Sequence, residues 1–291
     1  MFDSKGIIIP LVTPYDDNGK IDPSSTEKLF EHFLEKGIRS FYIGGSSGEC
    51  YLQTQDERLE FLEVVARINQ GRAKLMAHIG AISTPNTIEL GRKAHACGYD
   101  AISSTPPFYY GFTKTQIMGF YKEIVRTVDL PMVVYNAASV TGVDFSLDEL
   151  GEMLSWDNVI GLKHTTTNMT VIERLKQRFP EKLIYHGEDY MLVSGAVMGA
   201  DGGIGSTYNV MPDRYLRLWK AVEDGDFVTA SREQNEINSV IDVLLKPGFL
   251  AGIKGMLKLQ GYDVGQPRKP FTWLSDDQWD DLKRIKDTYQ L

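Results

Sequence analysis

Short apolar runs alternate with longer amphipathic stretches along most of this chain, and that rhythm constrains its fold more than any other feature. Residues 7–11, 38–43, 75–79, 101–103, 132–135, 159–163, 183–185 and 203–204 read as eight short strands. The last is little more than glycines. Helical stretches fill the gaps, and many begin with a capping signal. Thr54…Glu57, Ser24…Glu27, Thr113…Gln116, Ser146…Glu149 and Thr170…Glu173 all fit the capping box, in which side chains satisfy the orphan N–H groups of the first turn. Thr84-Pro85 predicts a proline at a first helical position.

Eight such units within roughly the first 225 residues predict an α/β fold, a (β/α)8 TIM barrel. A doubly wound sheet is the competing arrangement, but it normally carries a nucleotide fingerprint. Gly203-Ile204-Gly205 lacks the third glycine, since Tyr208 stands there, and the loop at 44–48 has no following Lys-Ser/Thr. After about Asp226 the alternation stops. Residues 227–245, 249–259 and 275–289 read as helices only, the last with its own box, Ser275…Gln278. The expected organisation is a barrel over 1–225 and a C-terminal helical extension over 226–291.

Composition narrows the function classes. A net charge of −8 argues against nucleic acid or an anionic membrane as partner, since both need a basic face. No apolar stretch is long enough for a bilayer span. The start, Met1-Phe2-Asp3-Ser4-Lys5, lacks the basic region and apolar core of a signal peptide. Two cysteines, Cys50 and Cys97, form no CxxC pair and no disulfide framework. The simplest expected location is the cytoplasm. His32, His78, His95, His164 and His186 form no HxxxH pair, so no metal is expected.

In a TIM barrel the site lies at the C-terminal ends of the strands, and four chemistry-bearing stretches end there. Lys163 closes the apolar run Val159-Ile160-Gly161-Leu162. An amine stripped of water at a barrel mouth is a nucleophile for carbonyls, although most lysines that end strands merely snorkel to solvent. Tyr135 closes the neighbouring run; it is either a packing residue or a proton relay. Gly44-Gly45-Ser46-Ser47-Gly48-Glu49 is either a tight turn or a nest of N–H groups and hydroxyls for a carboxylate. Gly205-Ser206-Thr207 follows the eighth strand. Pro106-Pro107-Phe108-Tyr109-Tyr110 reads first as an aromatic covering loop and second as a source of a substrate-facing hydroxyl.

Together these residues resemble the N-acetylneuraminate lyase and dihydrodipicolinate synthase superfamily of class I aldolases. The likeness rests on Gly44–Glu49, Pro107-Phe108-Tyr109-Tyr110, Val133-Val134-Tyr135-Asn136, Gly161-Leu162-Lys163 and residues 199–209, and it spans nearly the whole chain. The resemblance implies that Lys163 forms a Schiff base with a 2-oxo acid, that Ser46 and Ser47 hold its carboxylate, and that Tyr135 shuttles a proton. Thr165, Gly187, Asp189, Tyr190, Gly205, Ser206 and Tyr109 are the further substrate-binding positions it implies. It also implies a homotetramer and no cofactor.

The branch is read from Val140. The synthase branch carries an arginine there that helps bind a second carboxylate, which a valine cannot do. The expected reaction is therefore cleavage of N-acetylneuraminate to N-acetylmannosamine and pyruvate. One departure stands out. After the seventh strand the lyases usually read Gly-x-Asp-Glu, whereas Gly187-Glu188-Asp189-Tyr190 puts a tyrosine at the expected acidic position. Another aldehyde partner, dihydrodipicolinate synthesis and a non-catalytic 2-oxo-acid-binding barrel stay open as alternatives.

Overall fold

The computed structural model describes residues 2–291. Eight parallel strands pair in chain order and close on themselves, β1 (Gly6–Pro10) meeting β8 (Gly202–Ile204). Between them lie β2 (Ser40–Ile43), β3 (Lys74–His78), β4 (Ala101–Ser104), β5 (Met132–Asn136), β6 (Val159–His164) and β7 (Leu183–His186). Each expected strand is present, shifted by two residues at most.

The outer ring is α1 (Pro23–Glu35), α2 (Gln55–Asn69), α3 (Thr84–Ala96), α4 (Lys114–Thr127), the short α5 (Ala138–Thr141), α6 (Leu147–Leu154), α7 (Met169–Arg178), α8 (Leu192–Val197) and α9 (Pro212–Glu223). Three further helices follow, α10 (Phe227–Leu244), α11 (Phe249–Leu259) and α12 (Asp276–Tyr289). No helix among the described residues is long and apolar enough to cross a membrane.

Capping boxes start α2, α4, α6 and α12 at Thr54, Thr113, Ser146 and Ser275. Two other expected boxes are not used. Asp22 caps α1, its carboxylate accepting from the N–H groups of Ser24 and Ser25 while Pro23 takes the first turn. Asn168 caps α7 in the same way through Thr170 N–H. In both cases an Asn or Asp just upstream intercepts the orphan donors before the downstream hydroxyl can do so. Ser83 caps α3, so Pro85 is its second residue, a position that still needs no N–H.

Side chains of a strand alternate between faces, and here the alternation divides the core in two. Outward residues such as Phe41, Leu75, Ile102, Val134, Leu162 and Ile184 pack under the helices. Inward residues, among them Ile8, Tyr42, Met76, Val133, Tyr135 and Tyr185, fill the barrel. Phe2 plugs the N-terminal end, where the Tyr185 hydroxyl donates to the Ser4 carbonyl at 2.5 Å. A filled floor leaves only the C-terminal mouth for chemistry.

The C-terminal helices are closely fitted to each other. A Cβ on Gly252 of α11 would stand 1.9 Å from the Leu244 carbonyl oxygen at the end of α10. Gly252→Ala therefore forces the two helices apart, and we expect a loss of about 3 kcal/mol, read as a lower urea midpoint. An unchanged midpoint would show that this contact yields without cost.

Candidate active site

Lys163 is inward-facing because it stands two residues beyond Gly161 on the same side of β6. Strand register sets it beside Tyr135 of β5 and Tyr185 of β7. Its Nζ lies 4.1 Å from the centre of the Tyr135 ring and 4.6 Å from that of Tyr42. The residue is 6 % exposed, and among the described residues no salt bridge holds it. Two aromatic faces replace the carboxylate that a buried lysine ordinarily finds. The amine is thus confined at the mouth between two aromatic rings.

Around it the walls are polar. Tyr42 donates to Ser103 Oγ at 3.2 Å. The Thr165 hydroxyl approaches the Tyr135 oxygen at 3.5 Å, and its backbone N–H bonds the Asn136 carbonyl at 3.0 Å. A Cβ on Gly187 would come within 2.2 Å of Thr165 Oγ1, so the close packing of β7 on this threonine needs a glycine. Burial and the nearby Arg58 hold His78, below the mouth, well below its ordinary titration range, so it is a neutral imidazole there.

The loop after β2 forms a tight turn over Ser46–Gly48. Gly44 takes a φ of +71° at its entry. A Cβ on Gly45 would run into the Tyr42 ring at 2.5 Å. Within the turn, Gly48 and Cys50 N–H donate to the Gly45 carbonyl and Glu49 N–H to that of Ser46. The N–H groups of Ser46 and Ser47 have no protein acceptor among the described residues. Ser47 Oγ meets Ser206 Oγ at 2.7 Å, joining this loop to the one after β8. Asn209 ties the loop after β8 to the end of β1, accepting from Val12 N–H and donating to the Pro10 and Ser206 carbonyls.

Asp189 is the best-anchored of the remaining expected residues. Its carboxylate accepts from Thr207 N–H at 2.8 Å and from Thr207 Oγ1 at 2.7 Å. Withdrawal from water raises it above the usual carboxylate range, although the Thr207 bonds and the Lys163 charge pull the other way. A Cβ on Gly205 would stand 2.1 Å from Asp189 Oδ1, which explains the glycine.

Two expected residues stand apart from this ring. The Tyr190 hydroxyl donates to Asp242 Oδ1 of α10 at 2.9 Å, and burial with that carboxylate pushes the phenol up to about 12. Tyr109 is 83 % exposed with a φ of +83°, stacked edge-on against Tyr110 rather than on Lys163. Val140 is exposed on α5. The residues that sequence reasoning missed are Tyr42 and His78, while Thr207, noted in the loop after β8, was not foreseen as the anchor of Asp189. For the first two the signal was available, since both fall on the inward parity of their strands.

A cavity of about 430 Å³ beside His32, Asp213, Arg214 and Tyr289 lies on the flank, away from Lys163. The convergence of an unpaired amine, a phenol and an N–H turn singles out the barrel mouth instead.

The profile of the dihydrodipicolinate synthetase family matches residues 3–288. The chain belongs to this family. Within it, the chain is 42% identical to N-acetylneuraminate lyase 2 of Escherichia coli O6:H1 over 284 residues, 97% of this chain and 93% of that one. It superposes on CdNal of Clostridium difficile, solved in complex with mannosamine, with a TM-score of 0.96 at 32% identity, over 99% of this chain and 100% of the other. A catalytic lysine mutant of the Ruminococcus gnavus sialic acid aldolase gives a TM-score of 0.94, also at 32% identity, over 98% of each chain. Relatives of this family therefore share both the barrel and its C-terminal helices with this chain.

Proposed function

We propose that this protein is a class I lyase that cleaves N-acetylneuraminate to N-acetylmannosamine and pyruvate, reversibly. The observation that carries the reading is Lys163 Nζ, buried against Tyr42 and Tyr135 at the barrel mouth and, among the described residues, without an ion pair. The names and identities of the relatives support the same substrate.

The lysine amine adds to the C2 ketone, and loss of water leaves an iminium. The substrate carboxylate sits on the Ser46 and Ser47 N–H groups and hydroxyls, whose fixed dipoles face an anion. The C3–C4 bond then breaks. Its electron pair moves toward the iminium nitrogen to give an enamine, while the C4 hydroxyl proton passes to the Tyr135 oxygen. Return of that proton to C3 restores an iminium, and water releases pyruvate and the amine. Thr165, 3.5 Å from the Tyr135 oxygen, orients the phenol.

The aldehyde half is recognised by the loop after β7. Asp189 is committed to Thr207 and Tyr190 to Asp242. Glu188 is half-buried, and among the described residues no hydrogen bond or ion pair holds its side chain. Burial and the neighbouring Asp189 raise its pKa, and its free oxygens are open to hydroxyl donors. Glu188 thus supplies the acidic group that Tyr190 does not. Glu188→Gln should raise KM for N-acetylneuraminate about tenfold and leave KM for pyruvate in the reverse reaction unchanged. Equal KM values in the variant and the parent would remove Glu188 from recognition.

Tyr109 and Tyr110 on their exposed loop are assigned to the contact between subunits of a homotetramer. Pyruvate release from N-acetylneuraminate by the purified protein tests the reading as a whole. Release at a normal enzymic rate supports it. No release, with a borohydride-stable pyruvate adduct still forming on Lys163, would leave the aldol chemistry and replace the aldehyde.

A further inference from the structure

The turn that carries Ser46 and Ser47 ends on an unusual residue. Glu49 is a non-glycine in the left-handed region, with φ 61° and ψ 31°, and its side chain has no solvent exposure. A buried carboxylate in a strained backbone position needs a strong partner. That partner comes from the far end of the chain. Lys254 of α11, also without side-chain exposure, places Nζ 2.6 Å from Glu49 Oε1. The same ammonium donates to the Thr13 carbonyl at 2.9 Å and lies 4.4 Å from the centre of the Tyr15 ring.

The second carboxylate oxygen is occupied as well. Glu49 Oε2 accepts from Arg268 N–H at 2.6 Å. The Arg268 guanidinium grips Glu57 with two bonds, at 2.5 and 2.7 Å, and donates to the Leu52 and Gly19 carbonyls. From the other side Thr13 Oγ1 and Gln53 Nε2 both donate to the Gly48 carbonyl, at 2.7 and 3.0 Å. Apart from the Ser47–Ser206 bond, the anchors of the turn fall on Gly48 and Glu49 and not on Ser46 or Ser47. The segment after β8 that is not needed to close the barrel supplies two of them.

We propose that Lys254 and Glu49 are a positioning pair: the C-terminal helices hold the Ser46–Ser47 turn at the angle that accepts the substrate carboxylate. The inference rests on the reading of that turn as the carboxylate site. Neither residue touches substrate, so their effect is on carboxylate recognition and not on the nucleophile. The pair also explains why α11 belongs to the catalytic unit: without it the turn has no floor.

The test compares pyruvate with methyl pyruvate, which keeps the ketone and lacks the charge, in borohydride trapping on Lys163 of the full-length protein. Lys254→Met and Glu49→Gln should each raise the half-saturating concentration of pyruvate about tenfold and leave that of methyl pyruvate within twofold. Aldol kinetics should show the matching split, with KM for pyruvate raised and kcat little changed. Equal effects on both ketones, or none on either, would overturn the positioning role. Should a single variant fail to fold because one charge is left alone, the double variant Lys254→Met, Glu49→Gln leaves no buried charge and is read in the same way. Ser47→Ala serves as the control. If it does not weaken pyruvate relative to methyl pyruvate, the carboxylate reading of the turn fails and this inference fails with it. If it does and the pair variants do not, only the positioning pair is wrong.

Discussion

Lys163→Ala should abolish pyruvate release, by at least ~10^3-fold, while the protein stays folded. The argument is chemical and local. Lys163 is the one amine at the mouth set between the Tyr42 and Tyr135 rings. On the proposed mechanism its removal deletes the bond-forming atom, and His78 beside it does not replace it, being buried with its Nδ1 3.1 Å from the Gly44 carbonyl oxygen. Removing an unpaired amine from a buried position leaves no charge without a partner, so thermal stability should hold or rise. Lys163→Arg separates the two roles of the residue. It keeps the positive charge over the rings but cannot form an imine, so it should be as inactive as the alanine variant. Borohydride trapping with pyruvate, followed by peptide mass mapping, reads the adduct directly. An alanine variant that retains a tenth of parental activity, or an adduct on another lysine, would refute the assignment.

Acid should unfold this protein from an unusually high pH, and the cause is histidine burial. His164 and His186 stand side by side at the ends of β6 and β7, facing away from the barrel interior. Burial, with His186 close by, pushes His164 down to about 4, and burial also lowers His186 and His78. In the unfolded chain these rings titrate near the ordinary value, roughly 6.5. Between that pH and about 4 the unfolded chain binds protons that the folded state refuses. Stability is therefore complete above 6.5 and is lost as pH falls toward 4. For His164 alone the loss is on the order of 3 kcal/mol. Asp189 and Glu188, whose burial raises them, act in the opposite sense, but they are two groups against four, since burial also lowers the half-buried His32. Glu57, held near 2 chiefly by Arg268, matters only at lower pH still. Urea unfolding followed from pH 7.5 to 4.5 should show the decline, and His164→Asn should flatten it. A level profile over that range would mean that the two imidazoles reach water or protons more easily than their burial implies.

The relation between these sites and the sequence follows from the range of the forces involved. Strand periodicity, the boxes at Thr54, Thr113, Ser146 and Ser275, and the glycine-rich turn after β2 are all settled by neighbours a few residues away. The same locality misled at α1 and α7, where Asp22 and Asn168 compete for the same N–H groups and win by position. Lys163 and Tyr135 could be paired from sequence because each ends its own strand and a barrel sets consecutive strands side by side.

The sequence by itself determined the eight-strand rhythm, the position of an amine and a phenol at adjacent strand ends, and the helices after residue 226. Each is a pattern of period 2 or 3.6, written in consecutive residues. Only the tertiary structure decided how the loops are occupied. It commits Asp189 to Thr207, turns Tyr190 toward Asp242 on a later helix, and leaves Glu188 without a partner among the described residues. It also brings Arg268 to Glu49 across 219 residues and seats Lys254 beneath the same turn. These are contacts between side chains that no local period relates. They form only once the barrel closes and the C-terminal helices pack against it, because burial then forces each polar group to find its partner in space.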